Sequence, residues 1–257
     1  MGVVNITPDS FSDGGRFLAA DAAIAQARRL ANEGAAIIDI GAESTRPGAQ
    51  AVTEGEELSR LLPVLEEIRT LSLPISVDTR RAAVMRAALG AGASMINDIE
   101  ALGEPGAFEA VAATNGAVCL MHKKGDPATM QKDPRYDNVV AEVTEFLSAR
   151  IAAAMVAGIP RERIAIDPGF GFGKTVEHNL ELLRNLERLA ELGVPVLVGL
   201  SRKSMLGTLT GRSVEERGPA SVAAALLAAQ HGATILRVHD VAATRDALMI
   251  WRAVEAG

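Results

Sequence analysis

Short apolar runs alternate with longer amphipathic stretches along the whole chain, and nearly every run carries a polar residue at or beside its C-terminal end. Met1 to Ile6 reads as a strand, followed by a polar loop, TPDSFSDGG, and a helix over Asp21 to Gly34. Ala35 to Gly41 is the second strand, with the loop AESTRPG behind it. Thr53 and Glu56 then form a capping-box pattern, and Leu58, Leu61, Leu62, Leu65 and Ile68 follow as one helical stripe. Pro74 to Asp78 and Ser94 to Asp98 are strands three and four, separated by a helix from Ala82 to Leu89. A helix near Gly106 to Thr114 leads to strand five, Ala117 to His122, and to the polar loop KKGDPATMQKDPRY. Val139, Val143, Phe146, Leu147 and Ile151 mark a long helix. Strand six is Ile164 to Asp167, opening into PGFGFGK. A helix over Val176 to Leu192, strand seven (Pro195 to Gly199), a helix opened by Ser213 and Glu216 and ending near His231, strand eight (Thr234 to Val238) and a final helix to Trp251 or beyond complete the chain.

Strands that are apolar at nearly every position belong to a parallel sheet buried on both faces. Strict alternation of strand and helix, without a change in composition, predicts one domain over residues 1–257. The fold class expected is α/β, a (β/α)8 TIM barrel, with an open doubly wound sheet as second choice. Met1 begins directly on an apolar run with no polar lead-in, so the numbering is expected to start inside a longer natural chain.

Composition narrows the function. The 257 residues are 48% hydrophobic but only 3% aromatic, which suits a helix-rich interior of small and aliphatic side chains. The formal charge is −6 and the pI about 5.4. Without a basic run there is no electrostatic footprint for nucleic acid. No apolar run approaches the ~20 residues of a membrane span, and the start does not resemble a signal peptide. A single cysteine, Cys119, cannot form an internal disulfide and fits a reducing, cytoplasmic setting. It lies within the run VCLM, where packing is the expected role.

Barrels build their sites at the C-terminal ends of the strands. Here those ends carry Asn5, Asp39, Asp78, Asn97, Asp98, His122, Asp167, the Ser201-Arg202-Lys203 run, Arg237 and His239. Asp and Asn at such places also cap helices, but Lys203 and Arg237 cannot accept a hydrogen bond and so cannot cap. Arg237 and His239 alternate on one strand end and are expected to point the same way. With Asn5, Thr45 and Arg46 they would cradle an anion, phosphate for preference. Asp78, Asn97 and Asp167 suit a flat ligand with several N–H donors, with Lys203 donating to a ring carbonyl or nitrogen. A structural ion-pair network inside the barrel is the competing reading.

Several motifs fail. Gly173-Lys174-Thr175 looks like the end of a P-loop, but Pro168 stands where the first glycine is required. GFGFG lacks the third glycine of a dinucleotide fingerprint. His122, His178, His231 and His239 form no H-x-H or H-E-x-x-H pair. Mg²⁺ could still bind through one protein oxygen and substrate phosphates. No nucleophile elbow surrounds Ser201.

Seven segments, NITPDSFSDGG, GAESTRPG, SVDT, IND, DPGFGFGK, SRKS and RVHDV, lie in order, one per strand, and resemble the bacterial dihydropteroate synthase family. The resemblance implies condensation of 6-hydroxymethyl-7,8-dihydropterin diphosphate with p-aminobenzoate, giving 7,8-dihydropteroate and pyrophosphate. It implies Asp78, Asn97, Met121, Asp167, Lys203 and Arg237 on the pterin side. Asn5, Thr45, Arg46, Arg237 and His239 fall on the diphosphate side, Asn5 also touching Mg²⁺. Phe11, Arg46, Pro47, Phe172, Lys203 and Ser204 fall on the p-aminobenzoate side. Asp78, Asp167, Lys203, Arg237 and His239 would carry the catalysis, by early loss of diphosphate and attack of the aniline nitrogen on the resulting cation. The family's homodimeric state and its role as a sulfonamide target are further expectations.

The sequence departs from the family pattern at Ala42, commonly glycine, and at Lys123-Lys124, which reads as a solvated basic tip. It also lacks the family's usual residues before strand one. The nearest rival, a methyltetrahydrofolate:corrinoid methyltransferase barrel, needs no diphosphate cradle. A pterin-binding barrel without activity and a metal-dependent hydrolase are further rivals.

Overall fold

A computed structural model describes residues 1–6, 13–43, 52–126 and 129–256, with side chains from residue 19 onward in the first helix. Eight strands alternate with helices in chain order: β1 (Gly2–Asn5), β2 (Ile38–Gly41), β3 (Ile75–Asp78), β4 (Met95–Asp98), β5 (Ala117–Met121), β6 (Ile164–Asp167), β7 (Leu197–Val198) and β8 (Ile235–Leu236). The first six pair in sequence order, all parallel, and β7 pairs with β8. Single bridges, Ile166 to Val196 and Gly2 to Val238, join the two sheets at both seams. The strands therefore close into a ring, which excludes the open doubly wound alternative.

Two apolar regions separate inside and outside the ring. Most of the core lies between strands and helices, with Ile38, Ile40, Val77, Ile96, Val118, Leu120 and Ile166 on the outward strand positions. Met95, Cys119, Ala165 and Leu197, flanked by Met1, Ala117 and Ile235, form a separate plug inside it. Cys119 is fully buried there, and burial pushes its thiol well above the ordinary range, in keeping with a packing role.

Of the helices, α1 (Asp13–Asn32) begins eight residues before the sequence pattern places it. Gly14 and Gly15 each lower helix propensity by about 1 kcal/mol and so read as loop. In α2 (Glu54–Ile68) the Thr53 hydroxyl accepts from the Glu56 amide at 3.2 Å, but the Glu56 carboxylate turns to Arg60, so only half the capping box forms. Next come α3 (Ala82–Gly90), α4 (Ala107–Ala112) and α5 (Val139–Val156). The expected helix from Val176 is two, α6 (Val176–Arg184) and α7 (Leu186–Ala190), broken where Asn185 Nδ2 donates back to the Glu181 carbonyl at 2.8 Å. A short α8 (Ser204–Thr210), ended by Gly211 in the left-handed region, has no counterpart in the sequence pattern. Ser213 and Glu216 close a turn rather than open a helix. α9 (Gly218–Gln230) starts later, with proline in its first turn, the place where a missing N–H costs nothing. α10 runs Val241–Glu255.

Asp98 was a candidate strand-end ligand. It instead faces outward, fully buried, and accepts from the amides of Glu100 (2.8 Å) and Leu102 (2.6 Å). These bonds hold Ala101 and Leu102 at φ of 50° and 59°, a conformation unfavourable for residues with a Cβ. Asp98→Ala should therefore cost about 1–3 kcal/mol in urea unfolding, from two orphaned amides, without changing ligand affinity. An unchanged midpoint would contradict this role.

Candidate active site

Strand register decides which side chains enter the lumen. Asp39 pairs with Ser76, Gly41 with Asp78, Asp78 with Asn97, and Met121 with Asp167. Alternation along each strand places Asp39, Ser76, Asp78, Asn97, Met121, Asp167 and Arg237 above the apolar plug. Gly41 leaves room for this layer, since a Cβ there would lie 3.2 Å from Asp78 Cβ.

Arg237 organises the layer. Its Nε donates to Asp39 at 2.6 Å and its Nη2 to Asp78 at 2.9 Å. The Arg237 guanidinium is held by two lumen carboxylates, and the His239 ring sits 3.0 Å from the Ser201 hydroxyl. Two carboxylates share one guanidinium, and burial pushes Asp78 up to about 7 despite the opposing pull of Arg237. Asp39 was only a strand-end candidate in the sequence. Its pairing with Arg237 depends on lumen geometry that alternation within IIDIG hints at but cannot close.

Asp167 is buried, and desolvation raises its carboxyl above the usual range against the pull of Lys203. Its Oδ1 accepts from the Gly169 amide at 2.7 Å. Lys203 donates to the Phe170 carbonyl, and its ammonium lies 4.2 Å from the centroid of the Phe172 ring. Burial lowers Lys203 to about 8, with Asp167 opposing the shift. Ser204, exposed, opens α8 directly after it. Arg202 is held at φ 61° by its ion pair to Asp240 and by a bond from its amide to Ser221, a strained turn that aims Lys203 inward.

Asn5 lies exposed at the end of β1. Phe11, Thr45, Arg46 and Pro47 fall outside the described residues. His122 leaves the lumen: it packs edge-on to Phe146 with ring centroids 5.0 Å apart and lies 2.9 Å from Lys174 Nζ. Of the expected solvated basic tip, Lys124 is exposed and Lys123 is not. Lys123 pairs with Glu100 at 2.7 Å, only 14% exposed, and Lys124 pairs with Glu142 at 2.9 Å. Among the described residues no cluster of three or more His, Cys, Asp or Glu is placed to hold a metal ion.

Folding raises Asp78 from its ordinary range to about 7, so ionising it costs stability. The penalty is absent below about pH 4 and grows as pH rises through about 7. Urea unfolding from pH 5 to 8 should show the native protein losing stability relative to Asp78→Asn; a relative gain would mean that Arg237 outweighs burial.

Comparison with known proteins fits this arrangement. A family model described as "Pterin binding enzyme" matches residues 1–239. The dihydropteroate synthase of Haemophilus influenzae is 52% identical over 254 residues, covering 98% of this chain and 92% of that protein. A structure of the Xanthomonas albilineans dihydropteroate synthase with 4-aminobenzoic acid superimposes with a TM-score of 0.93 at 58% identity, covering 100% of this chain and 93% of that one. Another, of that enzyme in complex with 7,8-dihydropteroate, gives 0.89 at 51% identity, covering 100% and 92%. The chain belongs to the pterin-binding enzyme family, in its dihydropteroate synthase branch.

Proposed function

We propose that the mouth of this barrel joins 6-hydroxymethyl-7,8-dihydropterin diphosphate to p-aminobenzoate, with each side chain in the role its position suits. The observation that carries the reading is the convergence of buried Asn97 and Asp167 and half-buried Asp78 in one inward layer, with Met121 beside them and Lys203 at its rim. Beyond the bonds from Arg237 and the Gly169 amide, the two carboxylates keep acceptor positions free for N–H donors, and a pterin ring presents several on one edge. The relative's complex with 7,8-dihydropteroate supports the same ligand class.

The steps follow from the charges. Early cleavage of the carbon–oxygen bond leaves an electron-deficient pterin methylene and a departing pyrophosphate. Asp167, buried, and Asp78, half-buried, stabilise a cationic pterin more than a neutral one. His239 and the loop residues Thr45 and Arg46 would receive the diphosphate, with Arg237 linking that side to Asp78. The aniline nitrogen attacks the methylene from the side of Phe172 and Ser204, with Phe11, Arg46 and Pro47 closing around it, and then loses its proton to solvent. No protein nucleophile is needed. Asn5 offers an exposed amide oxygen where Mg²⁺ could bind jointly with substrate phosphates. Bound there, the cation would neutralise charge on the leaving group. The diphosphate step separates this reading from a corrinoid-type methyltransferase.

Three further expectations belong to the same proposal. Sulfonamides would compete at the p-aminobenzoate side. The protein would work in the cytoplasm; among the described residues, no helix is long and apolar enough to cross a membrane. A homodimer would bury Leu227 of α9 with Met249, Ile250 and Val254 of α10, all large, apolar and exposed. Ile250→Glu should then halve the mass seen by sedimentation, and an unchanged monomer in both proteins would contradict dimerisation.

Pyrophosphate release should require both substrates and Mg²⁺. Asp167→Asn should lower kcat at least about 100-fold, the scale of removing a preorganised electrostatic contact. Release without p-aminobenzoate would point instead to a hydrolase, and a loss under about threefold would remove Asp167 from the chemistry.

A further inference from the structure

The loop after β6 has an unusual requirement. Gly169, Gly171 and Gly173 all adopt positive φ (68°, 76° and 65°), which leaves the loop with one internal backbone bond, Phe172 N–H to the Gly169 carbonyl at 3.1 Å, and its carbonyls open to side-chain donors. Side chains at Gly169 and Gly173 are excluded, because a Cβ would fall 1.9 Å from the His122 carbonyl oxygen and 2.1 Å from that of Lys124. Five successive carbonyls, Gly169 to Gly173, each take a side-chain donor. Lys174 Nζ reaches Gly169 at 3.0 Å and Phe172 at 3.1 Å, and Tyr136 reaches Gly173 at 2.9 Å. Lys203 takes Phe170, and Gln131 takes Gly171.

Lys174 is the one donor that holds two of the five, and it is itself 3% exposed. Its third direction is filled by His122 Nδ1 at 2.9 Å. Burial lowers Lys174 to about 7, and in its ammonium form it has only donors, so Nδ1 then accepts and His122 carries its proton on Nε2. Burial and the Lys174 charge keep that imidazole neutral, its pKa lowered to about 3. The two carbonyls Lys174 holds flank the Phe170 carbonyl that anchors Lys203, and one belongs to Phe172, whose ring lies on Lys203.

We propose that Lys174, braced by His122, is a positioning residue for the p-aminobenzoate side: it moulds the 169–173 backbone so that Phe172 and Lys203 keep their relative placement. It touches neither substrate and acts through the loop. The inference rests on the synthase reading for which substrate is affected, but not for the loop itself.

Lys174→Met keeps the side chain's length and removes every donor. The KM for p-aminobenzoate, whose side meets both Phe172 and Lys203, should rise about tenfold, whereas kcat and the KM for the pterin diphosphate, which depend on Lys203 alone of the two and on the strand-borne Asp78, Asn97 and Asp167, should stay within about threefold. Hydrogen exchange of the segment 168–175, measured without ligand, should speed up at least about tenfold. If Lys174→Met does not fold, His122→Leu, which removes one of the three acceptors, is read the same way, with about a threefold rise in that KM expected. Unchanged exchange would overturn the proposal whatever the activity. Faster exchange with neither KM moved, or with both KM values moved together, would reduce Lys174 to general support and also overturn it. Faster exchange in a protein whose native form shows no p-aminobenzoate-dependent turnover would sink the synthase reading and with it the substrate assignment.

Discussion

The arrangement depends on one guanidinium shared by two carboxylates across the barrel lumen. β8 contributes only two paired residues, and a single bridge joins it to β1. Arg237, just past β8, reaches Asp39 on β2 and Asp78 on β3. The closing strand is thereby tied across the interior as well as along its edge. Buried ion pairs contribute little net stability against desolvation, but removing one member leaves an uncompensated charge and is strongly unfavourable. What the triad supplies is geometry: it fixes Asp78 at the mouth and holds a cation beneath the place a ligand would occupy.

The same economy of charge recurs one strand away. Asp167 faces Lys203, and Lys203 is anchored by the glycine-rich loop that Lys174 moulds from behind. Asp78 and Lys203 are both drawn by burial toward neutrality, to about 7 and about 8. Groups poised in that range can exchange protons and partners when a ligand arrives, a property that gathers at active sites. Layer and loop together set Asp39, Asp78 and Asp167 around Arg237, with Lys203 at the edge of the layer.

Much of this was legible in the sequence, and what was not has physical causes. All eight strands were visible because parallel strands buried on both faces are apolar runs with sharp polar ends. Asp78, Asn97 and Asp167 were legible as polar ends of apolar strands and Met121 through the family resemblance alone; period-two alternation then sets all four on one side. Asp98, grouped with them as a strand end, is separated by that alternation: it neighbours Asn97, and a one-residue step sends its side chain to the opposite face. The Arg237–Asp39 pair spans 198 residues of sequence and exists only once the ring closes. Lys174 read as a failed phosphate-loop lysine. Its role follows from carbonyl directions that three positive φ angles create and no residue pattern encodes. The short α8 and the late start of α9 escaped because Ser213 and Glu216 mimic a cap while closing only a turn.

The central claim is that the inward layer of Asp78, Asn97 and Asp167 reads the pterin ring. A crystal structure of the protein with 7,8-dihydropteroate tests it most directly. The pterin N–H edge should lie within hydrogen-bond distance of those three side chains, with Lys203 at the ring and the aminobenzoate end leaving past Phe172. A pterin bound elsewhere, with that layer contacting only water, would contradict it.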